Sequence, residues 1–435
     1  MLKVCKFGGS SLSEATQYQK VKSIVERDPA RRVIVVSAPG KRFEEDHKIT
    51  DLLYLTHAHL KYGVSADAVF SPVKERFFGI RDTLGLGTDL ESEFAALESS
   101  FSKTMPEADL VSRGEYLTAR LLADYLGFRF ADAAELMKFS PNGSLDRKAT
   151  YEAFSKMPLE TPVVIPGFYG SMPDHTLRLM PRGGSDITGS LAAAALEADV
   201  YENWTDVSGI LMADPRIVKD ARPIPKITYA EMRELSFIGA EVLHEESILP
   251  VREKNIPLNI RNTNDPDHPG TLIHGSFEAE PGDLFLTGIA GKKGYTIITI
   301  TKDGMSSAVG AVHQILGIFR NYNIPISYMS NGIDCYSCII EESVLGSYRY
   351  PILADIEQLM NPDEVFVSEH IAMLAIVGRN MAFRSGSCGK IFKTLGDEGI
   401  NVRVITQGPE EVNIIIGVEE RDFEHAVRSL YRKFV

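Results

Sequence analysis

The chain has 435 residues, 44% of them hydrophobic, which is enough to bury substantial cores in more than one domain at about 150 residues each. Its net charge of −13, with no basic run able to track a phosphate backbone, excludes nucleic acid and anionic membrane as partners. Met1-Leu2-Lys3 runs straight into a strand pattern, and no apolar stretch approaches the roughly 18 residues of a membrane span, so a cytoplasmic location is expected.

The first element is a short apolar strand, Leu2 to Phe7. A helix should follow, with Ser11-x-x-Glu14 as a capping box and Val21, Ile24 and Val25 forming the apolar face that packs on a sheet. Arg32 to Ser37 reads as a second strand, rich in β-branched residues. The charged segment Arg42 to His47, flanked by Gly40, reads as a mobile surface loop. Thr161 to Pro166 and Val200 to Trp204 continue the strand rhythm, the latter preceded by a helical Ala192 to Glu197. Alternating strands and helices from residue 1 to about 290 predict an α/β fold with a largely parallel sheet covered by helices.

The remainder contains an internal repeat at constant spacing. Ile297-Ile298-Thr299-Ile300-Thr301 recurs as Met373-Leu374-Ala375-Ile376-Val377, and Met305 and Gly310 recur as Met381 and Gly386. Ile315, Phe319 and Ile324 fall on Ile391, Leu395 and Ile400; Gly332 falls on Gly408, and Ile339-Ile340 on Ile415-Ile416. Two copies of a βαββ-like module explain this, and their open sheets call for a covering partner, side by side and across a dimer interface. Cys335 and Cys338 form a C-x-x-C, but no second close pair exists to complete a zinc site, so they read as ordinary thiols near a strand.

Four segments carry candidate chemistry. Lys6-Phe7-Gly8-Gly9-Ser10-Ser11 places a cation, bare amides and hydroxyls where a strand gives way to a helix, a geometry suited to a phosphate chain. The lysine precedes the glycines, so this is not a Walker loop. Arg182-Gly183-Gly184-Ser185-Asp186 is a second glycine-rich loop, whose guanidinium could grip a carboxylate through two hydrogen bonds. Trp204-Thr205-Asp206-Val207-x-Gly209 with Asp214-Pro215-Arg216 supplies carboxylates and an arginine after a strand, suited to ribose, phosphate or metal-bound water. Ser112-Arg113-Gly114-Glu115 sets a carboxylate at a helix start, where capping is the plain alternative.

In order along the chain, these segments resemble the signature segments of aspartate kinases in the amino acid kinase superfamily, and the C-terminal repeat is similar to that family's tandem ACT domains. The resemblance implies an amino acid kinase fold over residues 1–285, then two α+β ferredoxin-like ACT domains, 290–365 and 366–435. It implies transfer of the ATP γ-phosphate to the β-carboxylate of L-aspartate, giving 4-phospho-L-aspartate, the first step of lysine, threonine and methionine biosynthesis. ATP and Mg2+ would be the cofactors. By implication Lys6, Gly8 and Gly9 hold the transferring phosphoryl group with Ser10 beside it, and Asp186 orients Lys6 or a neighbouring amide. Arg182, Glu115, Thr50, Gly183, Gly184 and Ser185 would bind aspartate, while Thr205, Asp206, Leu211 and Arg216 would contact the nucleotide. Met305, Gly310, Ala311, Val312, Ile326 and Ser327 would line an effector site for lysine or threonine, in a homodimer or higher homo-oligomer joined through the ACT domains.

The match departs at two nucleotide-side positions: Glu241 stands where relatives carry an ATP-contacting lysine, and Leu211 where some carry an aromatic. Two other functions remain in view. A kinase acting on glutamate or acetylglutamate would share the Gly-Gly loops but lack the repeat and the Trp204-Thr205-Asp206-Val207 segment. A catalytically silent amino-acid sensor is favoured only by Glu241.

Overall fold

The computed structural model describes residues 1–181, 183–239, 243, 245–277, 286–379, 381, 385–408 and 412–435. The chain forms two compact units. The first comprises residues 1–210, 223–229 and 242–277; the second comprises 211–222, 230–241 and 278–435. Residues 211–222, 230–241 and 278–285 of the kinase portion expected from sequence thus fall within the second unit.

The first unit is built on strands β1 (Lys3–Phe7), β2 (Arg31–Val36), β3 (Arg129–Phe130), β4 (Val163–Pro166), the ribbon β5 (Tyr169–Ser171) and β6 (Leu177–Leu179), then β7 (Val200–Thr205), β8 (Lys226–Thr228), β9 (Leu258–Asn262) and β10 (Thr271–His274). All but the ribbon form one sheet in the order β3-β4-β2-β1-β7-β9-β10-β8. Every neighbouring pair is parallel except β9 with β10. The near-continuous apolar runs Val33–Val36 and Val163–Pro166 are buried throughout, as central parallel strands under two helical layers should be. Register aligns Phe7 with Val36 on one side and with Trp204 on the other, and Val36 with Pro166. The carboxyl ends of β1, β2, β4 and β7 thus share one edge, where open α/β sheets bind ligands.

The helix after β1 runs Ala15–Glu26 and buries Tyr18, Val21, Ile24 and Val25, as its spacing predicts. The expected capping box is absent. Residues Gly9–Leu12 form a 3-10 turn, Glu14 is the N-cap without a side-chain bond, and the Ser11 hydroxyl instead meets that of Thr263 at 2.7 Å. The Arg42 to His47 segment is an exposed loop, as expected, and it is tied down through one residue. The carboxylate of Asp46 is buried, accepts from the backbone N–H and side chain of Arg42, and pairs with Arg76 at 2.7 Å. Arg42, Glu44, Glu45 and His47 remain exposed, and only the Asp46 carboxylate turns inward.

A buried ionic network supports the sheet. Glu202 of β7 pairs with Arg31 of β2 at 2.8 Å and with Lys3 of β1 at 3.2 Å, and accepts from the Trp204 indole at 2.9 Å. Burial alone would raise the Glu202 pKa, yet the hydrogen bonds and charges of Arg31 and Lys3 prevail and hold it below the usual value.

The second unit contains β11 (Gly288–Thr301), β12 (Tyr328–Asn331), β13 (Cys335–Glu341), β14 (Glu364–Val377), β15 (Val404–Thr406) and β16 (Asn413–Glu419). They form one antiparallel sheet, β12-β13-β11-β14-β16-β15, joined at its centre by the two long strands β11 and β14. Each copy of the repeat is a strand, helix, strand, strand and final helix. The helices are Ala311–Asn321 and Arg349–Met360 in the first copy, Ser387–Asp397 and Phe423–Phe434 in the second. The closing helix of each module was not part of the βαββ reading. Each copy has its own core, around Ile298, Ile315, Phe319 and Ile352 in one and Leu374, Ile391, Leu395 and Leu430 in the other. Cys335 and Cys338 both lie on β13, and burial pushes the Cys338 thiol up to about 12, so that thiol is poorly suited to thiolate chemistry. Among the described residues no helix is long and apolar enough to cross a membrane.

Candidate functional site

β1 ends at Phe7, and the chain turns through Gly8 and Gly9 into the 3-10 turn at the shared carboxyl edge. The Gly8 N–H donates to the Trp204 carbonyl, tying this turn to the end of β7. Gly9 lies flat against the turn that follows β2: its carbonyl accepts from the Gly40 N–H at 2.8 Å, and a Cβ on it would stand 2.7 Å from the Ala38 oxygen. No side chain fits there, which explains the glycine.

Lys6, the penultimate residue of β1, is buried but ends on the same side as Gly8. Its ammonium lies 2.8 Å from Oδ1 of Asp186, and the Asn203 amide donates to that same oxygen at 2.9 Å. Lys6 and Asn203 are register partners across β1 and β7, so both point to one face of the sheet. Asp186 sits in the first turn of the helix Gly184–Ala195, where a carboxylate is favoured by the helix dipole. The sequence therefore identified Lys6 and Asp186 but missed Asn203. The available signal was a polar residue inside an otherwise buried strand.

Glu115 stands in the first turn of the helix Arg113–Leu126, yet it does not cap: it is only 4% exposed, and its Oε2 has no hydrogen-bond partner. Burial lifts its pKa to about 8, opposed by a hydrogen bond from the Ala38 backbone and by the nearby charge of Lys6. A buried carboxylate with an orphaned oxygen fits a cationic ligand group. Thr50 lies in the first turn of the helix Ile49–Tyr62, whose Ile49 N–H donates to the Pro39 carbonyl in the same turn after β2. Ser185 crowds against Gly167 at the end of β4, where a Cβ would come within 2.7 Å of the serine. Gly183 caps the helix Gly184–Ala195 in the left-handed region, with φ 82°. Lys6, Gly8, Gly9, Thr50, Glu115, Gly183, Gly184, Ser185 and Asp186 are thus brought to one strand edge, with Ser10 in the turn. Arg182 lies outside the described residues, as does Glu241.

On the nucleotide side, Thr205 ends β7 and its hydroxyl bonds Asp206 at 3.1 Å, with Asp206 exposed. Leu211 and Arg216 fall in the second unit. There Asp214 closes a turn by accepting from the Arg216 backbone N–H and pairs with its guanidinium at 2.7 Å.

Among the effector candidates, Met305 is buried in the core of the first repeat copy, and Gly310 caps the helix Ala311–Asn321 with φ 92°. Val312 is exposed, and the Ser327 N–H is spent on the Ile339 carbonyl. Ile326 borders a cavity of about 550 Å3 with Phe319, Arg320 and Ile324. In the first unit a cavity of about 680 Å3, bordered by Arg129, Lys138, Glu152 and His175, shares no residue with the strand-edge cluster.

The model of the amino acid kinase family matches residues 1–262, and an ACT domain model matches residues 374–434. The chain is 33% identical over 449 residues to Aspartokinase 3 of Bacillus subtilis (strain 168), covering 100% of this chain and 98% of the relative. It is 30% identical to the chloroplastic Aspartokinase 1 of Arabidopsis thaliana, covering 99% of this chain and 80% of that one. The crystal structure of Clostridium acetobutylicum aspartate kinase superposes with a TM-score of 0.92 at 44% identity, over 100% of both chains. E. coli aspartokinase III in complex with aspartate and ADP gives a TM-score of 0.76 at 26% identity, over 99% of both chains.

Proposed function

The chain belongs to the amino acid kinase family and, within it, to the aspartate kinases, and on that footing we propose that it moves the γ-phosphoryl group of MgATP onto the β-carboxylate of L-aspartate. The product is 4-phospho-L-aspartate, an acyl phosphate and the entry point to lysine, threonine and methionine. Residues 1–285 are assigned as the catalytic domain, 290–365 and 366–435 as the two ACT domains. The observation that carries the reading is the convergence of a fixed cation and a buried carboxyl group with one unpartnered oxygen at one strand edge: Lys6 held by Asp186 at 2.8 Å, and Glu115 with its free Oε2.

A carboxylate with a pKa near 4 is already ionised at neutral pH, so the acceptor needs no general base. What the site must do is align two anions and offset their charge. Lys6 supplies a positive charge whose position is set from behind by Asp186 and Asn203. The Gly8-Gly9 turn, anchored by the Gly8 N–H on the Trp204 carbonyl, has no side chain to keep a phosphate chain from approaching its backbone. Glu115, once ionised, takes the ammonium of aspartate, with Thr50 and Ser185 completing its polar contacts and Arg182 its α-carboxylate. Thr205 and Asp206 serve the nucleotide at the end of β7.

Among the described residues no three His, Cys, Asp or Glu side chains converge as a metal cage. The donors near the strand edge are carboxylates and hydroxyls, a set that suits a hard cation carried by the nucleotide and held through water by Asp206. Mg2+, when bound, would neutralise phosphate charge. E. coli aspartokinase III has been solved with lysine and aspartate in a T-state, which supports a lysine or threonine effector for the ACT domains here. The open sheets of those modules favour a homodimer.

The decisive experiment incubates the chain with ATP, Mg2+ and either aspartate or glutamate, and traps the acyl phosphate with hydroxylamine. Aspartyl hydroxamate should form and glutamyl hydroxamate should not. ADP release without aspartyl hydroxamate would reject the reading.

A further inference from the structure

Resting on that reading, we propose that Arg76 is a positioning residue for phosphoryl transfer, acting with Asp46 as a buried clamp that holds the two backbone turns facing the reacting groups. Arg76 projects from the middle of the helix Asp67–Leu84 and is 6% exposed. One amino group, Nη1, donates to two main-chain carbonyls: Ser13 at 3.1 Å, just after the Gly8-Gly9 turn, and Gly40 at 2.9 Å, in the turn after β2. The other, Nη2, donates to Asp46 at 2.7 Å. Asp46 in turn holds Arg42 through that residue's backbone N–H and its guanidinium.

Those two turns already meet elsewhere. The Pro39–Gly40 peptide donates to the Gly9 carbonyl at 2.8 Å and accepts from Ile49 at 3.1 Å, one residue before Thr50. Gly9 and Gly40 approach so closely that a Cβ on Gly40 would be 2.7 Å from the Gly9 carbonyl carbon. The adjoining Ala38 N–H bonds Glu115. One guanidinium therefore ties together the segments that carry the Gly9 turn, the contact to Glu115 and the helix start bearing Thr50. A planar fork can bridge three acceptors set at these angles, whereas an ammonium on a flexible stem cannot hold the same three at once. A shift of about 1 Å in such a frame costs on the order of 100-fold in rate.

The test compares Arg76→Lys, Asp46→Asn and the double variant with the wild-type full chain, measuring kcat and KM for aspartate in the hydroxamate assay together with the thermal melt. Expected is a fall in kcat of about tenfold to 100-fold for Arg76→Lys, with KM for aspartate within about threefold, at temperatures where the melt shows the chain folded. Asp46→Asn should lower kcat in the same direction but less, and the double variant should lose less than the product of the two single losses, because both residues belong to one clamp. A folded Arg76→Lys with wild-type kcat, or losses that multiply independently, overturns the clamp. If Arg76→Lys does not fold, Asp46→Asn decides by itself: kcat lowered in the folded chain supports the clamp, and unchanged kcat rejects it. Wild-type turnover is measured separately, so failure of the proposed reaction and failure of the clamp are distinct results.

Discussion

Lys6 and Asp186 meet at 2.8 Å although they lie in different quarters of the kinase sequence, because β1 and the helix Gly184–Ala195 reach the same strand edge. Removing the cation should cost transition-state stabilisation and little ground-state binding. Lys6→Ala is expected to lower kcat by about 100-fold or more with KM for aspartate nearly unchanged. A near-normal kcat would remove Lys6 from the reaction.

Asp186→Asn keeps the shape of the side chain but deprives Lys6 of its charge partner and weakens the acceptor for Asn203. Its kcat should fall by about tenfold, less than for loss of the lysine itself. Equal or larger loss than in Lys6→Ala would mean that Asp186 has a role beyond orienting that ammonium.

Glu115 makes a pH-dependent prediction. In the free chain burial raises its pKa to about 8, so it is mostly protonated at neutral pH, and binding an ammonium requires that proton to leave. KM for aspartate should therefore rise as pH falls below 8, by up to about tenfold per unit, and Glu115→Gln should bind weakly but without this slope. Stability follows the opposite sign. The folded state keeps a proton that the unfolded chain loses near 4.5, so stability declines as pH rises from there through about 8. Melting curves of Glu115→Gln should flatten over that window, and a wild-type slope retained in the variant would refute the assignment.

Glu202 tests the scaffold rather than the chemistry. It is 1% exposed and balances the buried Arg31, so Glu202→Ala leaves that guanidinium uncompensated, while Lys3 keeps Asp28, and should destabilise the chain by about 3–5 kcal/mol. Because its folded pKa is lowered, the stability it contributes is present above its unfolded value and is lost as pH falls through the folded one. Denaturation in the wild type and variant, compared at neutral and acid pH, should show the gap closing in acid.

Effector binding is checked by adding lysine or threonine to the aspartate saturation curve and to the melt. An effector that binds the folded chain alone stabilises it by about 2.7 kcal/mol at 100 times its Kd, and it must shift aspartate affinity if the sites are coupled. Neither amino acid changing either measurement would leave the ACT domains without that role.

Much of the molecule was legible from local pattern. The apolar strands, the amphipathic helix after β1 and the glycine turns follow from side-chain period and from backbone freedom, both of which are properties of a few consecutive residues. The repeat was equally visible, since spacing survives in sequence even though the closing helix of each module did not stand out. The exposed loop at Arg42 to His47 was legible as well, but nothing in a run of charges says that Arg76, on a distant helix, turns Asp46 inward.

By itself, then, the sequence determined the alternation of strands and helices, the repeat, the family and most of the residues at the strand edge. Tertiary structure alone decided that Asn203 stands beside Lys6 to hold Asp186, that Glu115 is buried with an oxygen unmatched, and that Gly9 lies against Gly40 over Arg76. Those relationships depend on the order β4-β2-β1-β7 and its register, which burial of the whole sheet selects and no local stretch encodes.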